Sequence, residues 1–274
     1  MPALPAPERK LTDWLELCRG AVADVGGVLE RLPTRVEREP VVGAGLGGDD
    51  TTAIDQAAEE VILARLREAA GAVVSEEVGR VGAGLPLVVV DPIDGSLNAK
   101  RGIPFFSLSI AVAEGETMDD VVFGFVHDFG SHEEWTARRG EGAWLNGEPL
   151  GAVRPKEEVE ILSFEATRTS LVAQEAPKVA ELAYRLRIMG SLALSLCHLA
   201  AGRVDAVCSL KPARSVDIAA AQLLCRELGL AVDLFDVEEG FGVAPLDLEQ
   251  RSRVVAAGSD AGCRRIAAAL QGDA

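Results

Sequence analysis

The sequence predicts an α/β protein, mixed α+β in its first half. Two lobes are expected, an N-terminal α+β lobe over 1–150 and a C-terminal α/β lobe over 151–274. Three observations predict it. Apolar residues between Leu11 and Leu29, and again between Ile54 and Leu66, recur at helical spacing. A series of short β-branched and apolar runs follows between 72 and 137. After about residue 150, strand-like and helix-like stretches alternate. No internal repeat or low-complexity linker intervenes, so the lobes are expected to share a long interface.

Taken in order, Leu11, Trp14, Leu15, Cys18, Ala21, Val22, Val25 and Leu29 predict a long amphipathic first helix. Residues 33–50 then lose periodicity and end in Gly43-Ala44-Gly45-Leu46-Gly47-Gly48-Asp49-Asp50. This spells G-x-G-x-x-G after Val41-Val42. The strand before it would be very short, and acids follow where a pyrophosphate would bind, so a mobile glycine-rich loop is expected instead. Thr51 and Thr52 can cap a second helix through Leu66, with Asp55 in its first turn, where helix-dipole complementation alone would explain an acid. Residues 72–75 form a strand candidate that leads into Glu76-Glu77. A glycine-rich turn separates it from 87–90, a buried strand that runs straight into Asp91. Strands are expected at 105–113, 121–126 and 133–137, meandering into a hairpin at 140–147 with an Asn146-Gly147 turn. His127 and His132 lie here with no nucleophile to pair with, and neither receives a catalytic role.

The second half reads as strand 160–164, helix 171–183, strand 184–188 and an apolar helix opened by Gly190-Ser191 that carries His198 as a packed core residue. Strand 205–210, helix 215–228, strands 230–234 and 254–257, and a last helix from Ser259 complete it.

With 274 residues and 48% hydrophobic content, the chain can bury a substantial core. No run approaches the ~18 apolar residues of a membrane helix. Residues 1–10 hold three prolines, mixed charges and no apolar stretch, so no signal peptide and a cytoplasmic location are expected. Five cysteines without C-x-x-C spacing predict free, mostly buried thiols rather than a zinc site or disulfides. The formal charge of −16 argues against nucleic acid or an anionic membrane as partner. For an anionic substrate, local metal ions would have to invert the sign.

The chemistry concentrates in Asp91-Pro92-Ile93-Asp94-Gly95-Ser96. Pro92 fixes φ and removes a donor, so Asp91 and Asp94 are expected to bracket a rigid turn and aim at one point. The Ile93 carbonyl is free to join them. Gly95 permits close backbone approach, and a helix opening at Ser96 would point amides back at the turn, which suits a phosphate. Hard oxygen donors favour Mg²⁺ or Mn²⁺. An ordinary Asp-Pro/Asp-Gly turn would look the same, so the other carboxylates decide. Two neighbouring strands each end in acid, at Glu76 and Asp91. Asp217, at the start of an apolar helix, is either a good first-turn residue or a further metal ligand delivered from the second lobe.

Glu76-Glu77, then D-P-I-D-G-S at 91–96, then V-D-I-A-A-A at 216–221, in this order, resemble the inositol monophosphatase superfamily of metal-dependent, lithium-related sugar phosphatases. The resemblance extends over about 49–228, including G-x-G-A-x-L-N-G at 140–147. The glycine-rich loop before Asp55, G-I-P-F-F at 102–106, and Lys211-Pro212-Ala213-Arg214-Ser215-Val216-Asp217 are most similar to the archaeal-type subgroup active on inositol monophosphate and fructose 1,6-bisphosphate.

The resemblance implies a layered α-β-α-β-α sandwich with the metal site between two lobes, and a homodimer. It implies that Glu76, Asp91 and the Ile93 carbonyl bind one Mg²⁺, that Asp91, Asp94 and Asp217 bind a second, and that Glu76 helps hold a third, weaker ion and the nucleophilic water. Ser96, with Asp55 behind it, would polarise that water. The Gly95 and Ser96 amides would hold the phosphate, with Asp94, Gly190 and Ser191 on the substrate side. Ser96 stands where the family usually has Thr, which keeps the hydroxyl. Leu210 stands where animal-type members carry an inositol-contacting Glu, so strict inositol specificity is not expected.

Arg185 and Arg187 alternate onto one face of a strand leading into Gly190-Ser191, and Lys211 and Arg214 precede Asp217. Together they are expected to form a second phosphate subsite, with surface charges as the plainer explanation. The substrate is therefore expected to be a small phosphorylated polyol or sugar, inositol 1-phosphate or fructose 1,6-bisphosphate. Rival readings are a phosphatase for 3′-phosphoadenosine 5′-phosphate or another nucleotide or histidinol phosphate, and a dinucleotide-binding oxidoreductase using 43–48. A catalytically dead relative is a third, against which the retention of Asp55, Glu76, Asp91, Asp94 and Asp217 argues.

Overall fold

The Asp13 carboxylate accepts from the amides of Leu15 (3.1 Å) and Glu16 (3.2 Å) and so starts the first helix, α1 (Trp14–Arg31). The structure, a computed structural model, describes residues 13–46, 48, 50–165, 168–237 and 240–272. The expectations for 1–12, with Leu11 as the start of the helix, and for Gly47 and Asp49 lie outside the described residues. After α1 come α2 (Arg35–Arg38), β1 (Val41–Ala44), β2 (Asp50–Thr52), α3 (Ala53–Leu66), β3 (Ala72–Ser75), β4 (Gly79–Gly82), β5 (Leu87–Asp94), α4 (Ser96–Arg101), β6 (Ser107–Ala113), β7 (Val121–Asp128), β8 (Glu134–Arg138), β9 (Gly142–Leu145) and β10 (Glu148–Pro149). The second half holds β11 (Val159–Glu165), α5 (Thr169–Glu175), β12 (Ala183–Arg187), α6 (Leu192–Ala200), β13 (Ala206–Ser209), α7 (Ser215–Glu227), β14 (Ala231–Leu234), β15 (Val254–Ala257) and α8 (Asp260–Gln271).

An eight-stranded sheet runs β10-β9-β8-β7-β6-β5-β3-β4, and a five-stranded sheet runs β12-β11-β13-β15-β14. In the first, β3 and β5 are parallel and the other pairs antiparallel. In the second, β11 is parallel to both neighbours, and β15 is antiparallel to β13 and β14.

Strand alternation sorts the side chains into three cores. Val73, Val88 and Val90 pack with Cys18, Val25, Ile54 and Ile62 of α1 and α3. Ala72, Val74, Leu87 and Val89, on the opposite face, pack with Leu194, Leu196, Ala219 and Leu223 of α6 and α7. That middle core also takes Val207, Val254 and Ala256 from the five-stranded sheet. The outer face of that sheet, with Phe164, Cys208 and Val255, packs with Ile266 and Leu270 of α8. Helices, sheet, helices, sheet and helix thus stack as five layers. All five cysteines are buried free thiols. His198 is held by Phe105 (ring centroids 5.6 Å) and Trp135 (6.0 Å), as a core histidine. Among the described residues no helix is long and apolar enough to cross a membrane.

Four local expectations are corrected. The residues flanking the glycine-rich stretch pair as an antiparallel hairpin, with Val41 opposite Thr52 and Ala44 opposite Asp50, where no strand pairing is expected. The oxidoreductase reading loses its strand–turn–helix there. The segment before Leu87, expected as a glycine-rich turn, contains the strand β4, paired with β3. The helix expected over 171–183 stops at Glu175, and Pro177 sits in a following 3₁₀ turn, Ala176–Val179. Finally, Asp91 and Asp94 do not bracket a turn, because β5 continues through both.

Candidate active site

The end of β5 is a β-bulge. Asp91 pairs with Ser109 and Asp94 with Ser107, so three steps on β5 face two on β6. Pro92 has no N–H to give the ladder, and Pro92 and Ile93 fall out of register. The Ile93 amide donates instead to Asp91 Oδ1 (3.0 Å). The strand then turns at Gly95, whose φ of +89° and close approach both require glycine. A Cβ there would stand 3.0 Å from the Gly190 carbonyl oxygen and 3.1 Å from that of Phe105. Ser96 follows as the first residue of α4.

Three other elements bring acids to the same place. Because β3 is parallel to β5 with Ser75 opposite Val90, Glu76 leaves its strand beside Asp91. The first turn of α7 brings Asp217, which accepts from the Arg214 amide (2.7 Å). This helix crosses the large sheet so closely that a Cβ on Gly124 would lie 2.5 Å from the Ala220 carbonyl oxygen. The first turn of α3 brings Asp55, whose Oδ2 accepts from the Thr52 amide (3.1 Å) and hydroxyl (2.6 Å) and pairs with Lys100 at 3.2 Å. Its Oδ1 is buried and has no hydrogen-bond partner.

Glu76, Asp91, Ile93, Asp94 and Asp217 line one cavity of about 200 Å³ together with Gly95, Ser96, Gly190 and Arg214. An adjoining hollow of about 710 Å³ shares Glu76, Ser96 and Lys211 with it and adds Asp55, Glu77, Lys100 and Arg168. Burial pushes the Glu76 carboxyl up to about 7, with Arg214 opposing and Asp217 adding to the rise. Burial, then Asp217, pushes Asp94 to about 7 against the donors Ser191 and Ala193. Burial raises Asp91 well above the carboxylate range, and Glu76, Asp94 and Asp217 all add to it. Such mutual repulsion is relieved by a cation.

One cation is built in. Arg214 is 8% exposed. It reaches Glu76 Oε1 through Nη1 (2.5 Å), Asp217 Oδ1 through Nη2 (2.8 Å) and Asp217 Oδ2 through Nε (3.2 Å). Burial works against its charge, but Asp217, Glu76 and Asp91 outweigh that. Among the described residues no three His, Cys, Asp or Glu groups are already gathered as metal ligands. The guanidinium stands between Glu76 and Asp217. The donor set itself, carboxylates with one carbonyl and no thiol or imidazole, fits a hard divalent ion.

The structure thus brings Asp55, Glu76, Asp91, Ile93, Asp94, Gly95, Ser96, Gly190, Lys211, Arg214 and Asp217 to two adjoining hollows. Ser191 sits behind the wall, its hydroxyl donating to Asp94 Oδ2 (2.5 Å). Arg185 and Arg187 are not brought there. They are exposed on the edge strand β12, Arg185 beside Glu160 (3.3 Å) and over the Tyr184 ring (4.4 Å), and Arg187 donating to the Leu186 carbonyl (2.9 Å). Sequence reasoning missed Glu165, Lys100 and Arg168, which do line the hollows. Lys100 lies one helical turn after Ser96, and Glu165 ends a strand as an acid, so both carried a readable signal.

The model of the "Inositol monophosphatase family" matches residues 13–272. A fructose-1,6-bisphosphatase/inositol-1-monophosphatase of Thermococcus kodakarensis is 38% identical over 190 residues, 69% of this chain and 71% of the relative. One of Archaeoglobus fulgidus is 32% identical over 248 residues, 89% of this chain and 93% of the relative. A solved structure described as an inositol monophosphatase-fructose 1,6 bisphosphatase superposes with a TM-score of 0.82 at 28% identity, covering 94% of this chain and all (100%) of the other. The chain belongs to the inositol monophosphatase family and is a phosphoric monoester hydrolase.

Proposed function

We propose that this phosphatase is Mg²⁺-dependent and hydrolyses both inositol 1-phosphate and fructose 1,6-bisphosphate, the latter at its 1-position. The observation that carries it is the convergence of Glu76, Asp91, Asp94 and Asp217, from three different elements, on one cavity beside the first turn of α4. Glu76, Asp91, the Ile93 carbonyl, Asp94 and Asp217 would hold two or three Mg²⁺ ions, and Mn²⁺ would suit the same donors. When bound, such ions activate water at neutral pH and stabilise charge on the leaving oxygen.

The chain's own groups do the rest. The Ser96 hydroxyl orients the attacking water, and Asp55, its Oδ1 unspent, lines the same hollow. The Gly95 and Ser96 amides face the transferred phosphate. Catalysis is then chiefly positioning and charge stabilisation, without a phospho-enzyme. In this reading 1–150 and 151–274 are lobes that meet at the cleft, and the enzyme is a cytoplasmic homodimer that binds neither nucleic acid nor membrane. Its test is phosphate release from a substrate panel at several Mg²⁺ concentrations. No Mg²⁺-dependent release from any phosphorylated polyol or sugar overturns it.

Ser96→Ala lowers kcat by roughly 10²–10⁴-fold if the hydroxyl acts in proton transfer, with little change in KM, while Ser96→Thr stays active. Wild-type kcat in Ser96→Ala would remove Ser96 and Asp55 from the mechanism. Substrate range follows from the second hollow, where buried Leu210 supplies no carboxylate and Lys211 and Arg168 supply charge. Lys211→Ala and Arg168→Ala raise KM for the bisphosphate more than for inositol 1-phosphate, since only the bisphosphate has a distal phosphate. Equal losses on both substrates would assign these side chains to structure alone.

A further inference from the structure

Glu165 is the last residue of β11 and lies cross-strand from Ser209. Its carbonyl accepts from the Leu210 amide (2.7 Å), so its backbone is pinned. Its side chain lies in the cavity wall and is 7% exposed. Four donors converge on it. Gly190 N reaches Oε2 at 2.8 Å, and Ser195 Oγ (2.8 Å), Ser163 Oγ (2.9 Å) and Met189 N (3.3 Å) reach Oε1. Both carboxylate oxygens are engaged, Oε1 by three donors and Oε2 by one. Two of these donors, the Met189 and Gly190 amides, are consecutive residues of one loop.

What it holds is the 189–191 loop. Asn98, on α4, grips the same loop from the other side through the Met189 carbonyl (2.8 Å). The next residue, Ser191, donates to Asp94 Oδ2 (2.5 Å), and Ala193 N donates to the same oxygen (2.8 Å). Asp94 is thus aimed by a loop that belongs to the five-stranded side of the cleft. We infer that Glu165 is a positioning residue for Asp94, acting through the 189–191 loop and Ser191 and not by touching the reacting atoms. The inference rests on the proposed Mg²⁺-dependent reaction and adds a residue to it.

A double-mutant cycle tests it. Glu165→Gln sets two new donors among four existing ones, so the loop loses at least one contact. Ser191→Ala cuts the next link. Each single change should lower kcat by ~10–10²-fold, the scale of a misplaced group near the chemistry, with KM little changed. Each should also weaken Mg²⁺ binding measured by calorimetry. Because both break one chain of contacts, the double variant should be no slower than the slower single. Losses that multiply, or full kcat and Mg²⁺ affinity in Glu165→Gln, overturn the inference. If melting curves show that Glu165→Gln fails to fold, Glu165→Asp enters the same cycle, since it keeps the charge but loses reach to Gly190. A wild type without Mg²⁺-dependent release overturns the proposed reaction itself, whereas an active wild type with multiplying losses overturns only the role of Glu165.

Discussion

Asp94→Asn abolishes turnover while leaving the chelator-treated protein at least as stable as the wild type. The side chain is 8% exposed, and its Oδ2 already accepts from Ser191 and Ala193. Its other oxygen is left for the cavity that Asp217 also lines. Burial and Asp217 push its carboxyl up to about 7 despite those two donors, so the folded protein strains to keep the charge. Asparagine keeps the shape and one acceptor, removes the charge and turns a donor toward the cation's place. Repulsion among the buried acids falls, which is why stability in chelator should not drop. Mg²⁺ affinity should fall by more than the ~10–100-fold seen for a partner standing behind a ligand, and turnover with it. Calorimetric titration and phosphate release are the measurements. Unchanged affinity with normal release would remove Asp94 from the metal site.

The legible part of this site is the part written in strands. Val73-Val74 and Val88-Val89 alternate between two cores, and each run ends in acid, so Glu76 and Asp91 could be placed side by side before any coordinates. The bulge was not legible. Pro92 and Gly95 have strong local turn preferences, and only pairing with β6 keeps Asp91 through Asp94 in a strand. The β1–β2 hairpin was hidden for a different reason. All four residues of β1 are exposed, so no alternation marks it. Alternation did put Arg185 and Arg187 on one face, but whether a strand lies at an edge or over a cavity is decided by strands far away in sequence. Arg214 was visible as a neighbour of Asp217, yet its contact with Glu76 spans 138 positions. Its basic charge suggested a phosphate ligand, and the structure instead pairs it with two of the acids.

That pairing makes Arg214→Met the other large expected effect. The guanidinium side chain is 9% exposed, and its partners Glu76 and Asp217 are 18% and 13% exposed. Removing one partner of a buried ion pair typically costs about 3–5 kcal/mol, because the remaining charges lose compensation. In chelator, Arg214→Met should show a deficit of that order by urea denaturation. Divalent cations held by the acidic cluster would replace the missing charge, so saturating Mg²⁺ should narrow the gap between variant and wild type. The pH dependence has a definite sign. Glu76 and Asp91 already have raised pKa values, chiefly from burial, with Arg214 holding both down. Without the guanidinium they rise further. A carboxyl raised in the folded state keeps a proton that the unfolded chain releases at its ordinary pKa. The folded state is therefore penalised as pH rises through that window, fully above the folded value and not at all below the unfolded one. The Arg214→Met deficit should therefore grow as pH rises above about 7, where Glu76 ionises in the wild type and not yet in the variant, and should be smaller below it. A deficit that is equal across this range and indifferent to Mg²⁺ would mean that Arg214 contributes packing alone and that no divalent cation takes over its two carboxylates.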